Sequence, residues 1–395
     1  MGGVAVLQLS DTQKAIVETV REFVDKEVVP VADIMEHNDE FPDAIVEQMK
    51  ELGLFGLTVP EEYGGIGESL TAYALAVVEL ARGWMSLSGV LNTHFMGCYL
   101  INKFGTDEQR GKFLPKMATG EWRAALAMSE PEAGSDVQAI RTKAISDGDE
   151  YLVNGSKMWL TNGLRSSLVM TLVKTDLEAD PPHRGMSMLI VEKEGGVAQP
   201  APGLDVGKNI EKMGYKGVET TEMTFNDFRI PKSSLLGTEE GKGFSQVLDA
   251  IEVGRVNVAA RAVGVSTRAF EEAIRYSQER KAFGKAISQH QAVQIHLAEM
   301  ATTLEAAKLM LYSAAEKKSS GVRSDLDAAM AKLFASEACH EICTKALRVH
   351  GGYGYSKEFT IERLYRDAPF LLIGEGTSEI QKTVIARRLL EKHKV

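Results

Sequence analysis

Where proline falls constrains this chain more than any other feature. Six of its eleven prolines lie between residues 123 and 231, and only one, Pro369, lies between 232 and 395. Proline lacks an amide donor and its ring clashes with the preceding turn, so long helices need stretches without it. The chain of 395 residues is long enough for two or three domains, and proline use divides it into zones of about 1–122, 123–235 and 236–395.

The first zone reads as helices. Ser10-x-x-Gln13 forms a capping box, with Ile16, Val20, Phe23 and Val24 following at helical spacing. Pro30 is predicted to stop that helix. Pro42 suits the first turn of a second one, with Gly53 as its C-cap, and Thr106-x-x-Gln109 begins another. Gly83–Asn102 carries no formal charge but holds Asn92, Thr93, His94 and three glycines, which predicts buried helix and loop rather than a membrane span. The second zone changes period. Asp147-Gly148 and Asn154-Gly155 are hairpin-turn signals between short alternating runs, and 167–174, 186–192 and 222–230 add strands. This predicts a sheet of short antiparallel strands, a small barrel or sandwich. The third zone is helical again, with helices over about 286–317, 324–349 and 378–391 forming a bundle.

Composition narrows the function classes. With 45 basic against 55 acidic residues the net charge is −10, and no basic run occurs, so nucleic acid and anionic membrane are poor partners. Three cysteines, Cys98, Cys339 and Cys343, cannot build a disulfide framework. The eight histidines show no ligand spacing, so no metal site is predicted. The opening MGGVAVLQLS has neither a signal-peptide nor a transit-peptide pattern, which points to the cytoplasm. No strand is followed by G-x-G-x-x-G, no P-loop is complete, and no His-Glu-x-x-His occurs. A redox cofactor would have to be held in another way.

Five segments carry chemistry. Ala127-Met128-Ser129-Glu130-Pro131-Glu-Ala-Gly134-Ser135-Asp136 leaves a strand and turns, offering hydroxyls and free amides to a flat ring or a phosphate. Trp159-Leu160-Thr161 can pack on and donate to such a ring. Arg280-Lys-Ala-Phe283-Gly284 places a guanidinium, suited to phosphate, between two helices. His350-Gly351-Gly352-Tyr353-Gly354 allows close backbone approach. In Gly374-Glu375-Gly376-Thr377-Ser378-Glu379-Ile380-Gln381, a carboxylate flanked by glycines precedes a helix start marked by Ser378-x-x-Gln381. Taken singly, each has a plainer reading: a polar turn, a core tryptophan, a C-capping charge, a flexible connection, a solvated glutamate.

Together and in this order, these segments resemble the acyl-CoA dehydrogenase family of flavoproteins, and the likeness runs from Pro60-Glu-Glu-Tyr63-Gly64-Gly65 to the last helix. The resemblance implies an α+β multidomain fold: an N-terminal α-helical domain (1–122), a central antiparallel β domain (123–235) and a C-terminal four-helix bundle (236–395). It implies FAD, an acyl-CoA substrate, an electron-transfer flavoprotein as acceptor, and a homotetramer or homodimer whose subunits complete each other's flavin sites. Leu126, Ala127, Met128, Ser129, Gly134 and Ser135, with Trp159, Leu160 and Thr161, would line the flavin. Arg280 with Phe283, Gln291, and the segment Arg348, Val349, His350, Gly351 and Gly352 would contact the FAD of a neighbouring subunit. Thr377, Ser378 and Glu379 would lie along its phosphates. Ser135, Asp249, Arg255 and Gly376 would lie near the substrate. Glu375 would be the catalytic base, taking the α proton while the β hydride leaves to flavin N5, giving the trans-2-enoyl-CoA.

Some members of the family carry the base on an earlier helix. The matching position here is Gly254, which cannot serve, and Glu252 is expected to point elsewhere. Many members have an aromatic residue before the base. Gly374 stands here instead, opening room that favours branched, cyclic or bulky acyl groups. The family's glutamine at the start of the glycine segment is Arg348 here. An acyl-CoA oxidase or flavin monooxygenase on the same scaffold, and a non-catalytic acyl-CoA-binding homologue, are the alternatives.

Overall fold

The computed structural model describes residues 9–394; the opening residues on which the cytoplasmic expectation rests lie largely outside them. Helix α1 (Asp11–Phe23) begins where Ser10 and Gln13 exchange backbone-to-side-chain bonds of 3.1 and 3.2 Å, the expected capping box. Pro30 does not end the helical path. The chain passes through a π turn at Val24–Val28 into α2 (Val29–His37), with Pro30 in its first turn. A helix start is where a missing amide costs least, and the π turn provides one without a loop.

Helix α3 (Asp43–Glu51) is followed by Gly53 at φ 71°, the left-handed conformation glycine adopts freely. Then come α4 (Leu70–Gly83), α5 (Met85–Phe104) and α6 (Asp107–Ala118), the last opening on the Thr106–Gln109 capping box. The uncharged run is thus nearly all one buried helix, α5, rather than helix and loop. Among the described residues no helix is long and apolar enough to cross a membrane.

The middle zone supplies β1 (Ala124–Ala127), β2 (Lys143–Asp147), β3 (Glu150–Thr161), β4 (Leu168–Lys174), β5 (Met186–Glu192), β6 (Leu204–Val206) and β7 (Thr220–Pro231). They form one sheet in the order β1-β4-β2-β3-β7-β6, with β5 also on β4. Asp147-Gly148 makes the expected hairpin between β2 and β3. Asn154-Gly155 does not turn. It lies inside β3, where Gly155 at φ 142° accompanies a shift of register against β7, and a Cβ there would stand 2.5 Å from Thr142 Oγ1. A glycine inside a strand marks a bulge or a close approach, and here it marks both. The sheet is mixed rather than antiparallel throughout, since β1 and β2 both run parallel to β4. β4 is buried almost throughout because both its faces are covered. Leu168, Met170 and Leu172 face the helices, while Val169 and Val173 face the sheet's own core.

The last zone holds α7 (Gly243–Glu279), a small hairpin β8 (Lys281–Ala282) and β9 (Lys285–Ala286), then α8 (Gln291–Ser319), α9 (Asp325–His350), α10 (Thr360–Ile373) and α11 (Ser378–Lys392). The cap of α11 is Thr377, whose Oγ1 accepts from the Ile380 amide at 3.3 Å, so the helix is capped one residue before the predicted Ser378. The first and third zones share a single apolar core. At its closest approach, a Cβ on Gly264 of α7 would come 2.3 Å from the Val78 carbonyl of α4.

Candidate active site

The loop between α10 and α11 is built to hold one side chain. Glu375 sits at φ 55° and Gly376 at φ 89°. A left-handed glutamate is uncommon and must be held by its surroundings. Gln381 of α11 does part of this, its Nε2 donating to the Glu375 and Gly376 carbonyls at 3.2 and 3.0 Å. This is why Gln381 is buried rather than completing the predicted capping box with Ser378.

So held, the Glu375 carboxyl reaches across to α5 and α7. Asn92 Nδ2 donates to its Oε1 at 3.0 Å. On α7 it faces Gly254, where a Cβ would lie 2.9 Å from Oε2. Burial pushes the Glu375 carboxyl above the ordinary carboxylate range, while Arg261, the Asn92 amide, Arg255 and Lys332 pull it back. Arg261 is itself buried, bonded to Asn257 Oδ1 at 2.6 Å and to the Tyr215 hydroxyl at 3.2 Å. The room expected beside Gly374 is instead taken up by Phe370 of α10, whose Cζ would be 3.0 Å from an added Cβ. That ring stacks on Tyr215 at 4.6 Å.

Beyond α5 and α7 opens a cavity of about 450 Å³. Leu70, Phe95 and Val253 give it apolar wall, and Asp249, Lys318 and Arg323 give it charge. Asp249 accepts from Tyr99 at 3.0 Å and pairs with Lys103. Glu252 also lines this cavity, accepting from Ser324 Oγ at 2.8 Å and pairing with Lys318 at 3.1 Å. It therefore points away from Glu375, as expected. Arg255 is buried and its Nε has no partner among the described residues.

A second group of predicted residues meets at the end of β1. The Met158 amide donates to Ser129 O at 2.9 Å, tying the Ser129–Ser135 loop to β3 beside Trp159. Trp159 takes φ 66° and leaves 56% of its surface exposed, between buried Lys157 and Leu160. Ala127 is buried, Leu126 and Met128 half-buried and Ser135 exposed. Beneath this loop lies a buried ion pair, Lys157 Nζ to Glu130 Oε1 at 2.8 Å. Glu130 also accepts from the Arg141 and Thr142 amides at 2.6 and 3.0 Å. Burial alone would raise its pKa, but Lys157 and these donors outweigh it and hold Glu130 low.

A third group lies at the surface. Arg280 stands 5.4 Å over the Tyr353 ring, joining the helix-ending arginine to the glycine segment. Phe283 at the hairpin tip is 96% exposed, Gln291 opens α8 and Arg348 is exposed. Gly351 and Gly352 have nothing within 4 Å of an added Cβ. Val349 and His350 are instead buried, His350 stacked on Tyr276 at 4.3 Å and bonded to the Ala346 carbonyl. Thr377, Ser378 and Glu379 form the first turn of α11, and the Ser378 hydroxyl is buried without a partner among the described residues.

Asn92, Arg261, Lys332 and the Glu130–Lys157 pair escape the sequence reading. A signal existed for two of them: Asn92 is a polar residue in an otherwise uncharged run, and Lys332 sits in an alanine-rich helix. Among the described residues no group of three or more His, Cys, Asp or Glu gathers as metal ligands would.

A half-buried glutamate on an interhelical loop, a mixed sheet between two helical segments and an exposed tryptophan at the sheet's end define a recognisable class. Family models described as the N-terminal, middle and C-terminal domains of acyl-CoA dehydrogenase match residues 10–121, 125–228 and 241–390. The chain belongs to the acyl-CoA dehydrogenase family, and it is an oxidoreductase of that family. It is 39% identical to an acyl-CoA dehydrogenase of Bacillus subtilis over 97% of this chain and 99% of that one. It is equally 39% identical to the caffeyl-CoA reductase-Etf complex subunit CarC of Acetobacterium woodii, over 98% of this chain and 100% of that protein. The butyryl-CoA dehydrogenase structure from Megasphaera elsdenii superposes with a TM-score of 0.93 at 34% identity, covering 98% of this chain and 100% of that one.

Proposed function

We propose that this chain dehydrogenates an acyl-CoA thioester to the trans-2-enoyl-CoA, with Glu375 taking the α proton and FAD as cofactor. The observation that carries this is the Glu375 carboxyl, half-buried where α5, α7 and the 374–377 loop meet, bonded to Asn92 and lowered by the charges of Arg261, Arg255 and Lys332. A base must be ionised yet poorly hydrated to pull a proton from carbon, and this environment supplies both conditions. The Glu375 amide has no acceptor among the described residues. It would donate to the thioester oxygen as negative charge develops there, and one such donor is worth about 3–4 kcal/mol.

The residues present fit a flavin nucleotide. Ser378 offers an unpartnered buried hydroxyl at the start of a helix of 15 residues, where phosphate is favoured. Gly134, Gly351 and Gly352 leave open space around their backbone. Trp159 and the Ser129–Ser135 loop would hold the ring, and Thr377 to Glu379 the phosphates. The chemistry FAD would supply is acceptance of the β hydrogen with its electron pair. The exposed Arg280, Phe283 and Gly351–Gly352 surface supports a homo-oligomer that completes flavin sites between subunits. The named Etf complex of the Acetobacterium relative supports an electron-transfer flavoprotein as acceptor, and the bacterial relatives support a cytoplasmic enzyme. The Phe370 ring takes the side on which Gly374 lacks a side chain, so Gly374 by itself gives no support to branched or cyclic acyl groups over straight ones.

The test is a panel of acyl-CoAs mixed anaerobically with the flavin-loaded protein, scored by flavin bleaching. Bleaching by acyl-CoA, and its loss by about 10³-fold or more in Glu375→Gln with FAD retained, is expected. Turnover persisting in E375Q overturns the assignment of the base. Rapid reoxidation by air without an electron-transfer flavoprotein would make the enzyme an oxidase.

A further inference from the structure

Helix α9 buries a lysine on an alanine face. Lys332 is fully enclosed, as are Ala328, Ala329, Ala331 and Ala335 around it in sequence. A buried ammonium is expensive unless it is paired and hydrogen-bonded. Among the described residues no carboxylate bonds to this one. Its Nζ donates to the Gly376 carbonyl at 2.8 Å and approaches the Leu372 carbonyl at 3.4 Å. Leu372 is in the last turn of α10, where a cation is favoured by the helix dipole. Gly376 is the residue after Glu375. The lysine thus spans the two ends of the loop that carries the glutamate.

The charges around it leave Glu375 as its principal counter-ion. Helix α7 contributes Arg255 and Arg261, with Glu252 beyond Arg255; α9 itself contributes Glu337; α11 contributes Glu379. The neutral groups facing Glu375 are Asn92 of α5, Tyr73 of α4 and Tyr215 of the loop before β7. Helices α8 and α10, also packed on α9, bring no side-chain partner to Nζ among the described residues.

We propose that Lys332 is a positioning residue for the base: it ties down the 374–377 loop so that the Glu375 carboxylate stands between Asn92 and Gly254, and its charge keeps that carboxylate ionised. The proposal rests on Glu375 being the base. Burial lowers Lys332 itself to about 8, with Glu375 the strongest influence in the other direction. The ammonium is therefore mostly charged at neutral pH, and the two groups support each other's ionisation.

The experiment uses the full-length, flavin-loaded protein and Lys332→Met, which keeps an unbranched apolar stem and removes the charge. The pH dependence of kcat/KM is measured, and thermal unfolding is followed in a double-mutant cycle with E375Q. The acid limb is expected to move up by about one pH unit, with kcat/KM falling about tenfold below the parent's limb, rejoining the parent on the alkaline plateau, and KM changing less than about twofold. The effects of K332M and E375Q on the unfolding temperature are expected to be non-additive. K332R, which keeps the charge, should restore the acid limb. If K332M does not fold, K332Q carries the same measurements, since it keeps a donor and loses the charge. A rate lowered equally at every pH, with additive unfolding shifts, overturns the proposal and leaves Lys332 a structural residue. E375Q that still turns over overturns the base itself, whereas an inactive E375Q with an unmoved acid limb in K332M overturns only the role of Lys332.

Discussion

At the scale of single residues, the site is a contest over one proton. Burial raises Glu375 before any neighbour acts, and Asn92 then lowers it by donating to Oε1. In the proposed reaction Glu375 acts as the carboxylate. Activity should therefore fall as pH drops through a value above the ordinary carboxylate range. Asn92→Val removes the donor, so its acid limb should lie at still higher pH, while its plateau rate at alkaline pH stays within a few-fold of the parent. A pH–rate profile checks both, and a limb that moves down contradicts the assigned role. Glycine, glutamate and glycine before a capped helix is a local pattern that marks the position of Glu375, while its role comes from the family resemblance. Asn92, Arg261 and Lys332 were not legible, because each comes from a different helix and only folding brings them to the same carboxyl. No spacing along the chain encodes that meeting.

At the scale of elements, two of the three capping signals mark helix starts, the third falls one residue late at Ser378, and the interruptions mislead. Both capping boxes stand where Ser10 and Thr106 predict them, since a cap is decided by residues three apart. Pro30 and Asn154-Gly155 mislead for a shared reason: each is a breaker in isolation, and each is absorbed by a local irregularity, a π turn in one case and a shifted register in the other. The parallel pairing of β1 and β2 with β4 depends on distant partners and has no local signal. Packing between elements also explains Gly254. An alanine there meets only the end of a flexible side chain at 2.9 Å, together with Met96 Sδ at 3.3 Å. Gly254→Ala should leave unfolding stability unchanged or raise it by up to about 1 kcal/mol, the helix propensity gain. It should lower kcat by displacing the Glu375 carboxyl. Calorimetry beside steady-state kinetics would show the two effects part company; a loss of stability equal to the loss of rate would refute this account.

At the scale of the whole molecule, three sequence zones resolve into two cores. The sheet keeps one of its own, while the helices before and after it share another, with Val77 and Leu80 of α4 in the same cluster as Val258 and Val263 of α7. Composition and period show that both zones are helical. They do not show that the zones are halves of one body, because the pairing runs across more than a hundred residues of intervening sheet. Residues 1–122 expressed alone should therefore lack a cooperative thermal transition, since buried faces of α4 and α5 would be left in water. Circular dichroism during a thermal ramp decides the matter, and a sharp transition in that fragment would show that the first zone folds independently.

The closeness of position 254 to the Glu375 carboxyl has an evolutionary reach. Two backbone sites, on opposite walls and more than a hundred residues apart, can deliver an acid group to nearly the same point in space. The acid can be transposed from one wall to the other by a pair of exchanges, with the surrounding architecture left standing. If position 375 carries the base as proposed, a homologue with its acid at the facing position instead would keep the same reach to the substrate carbon.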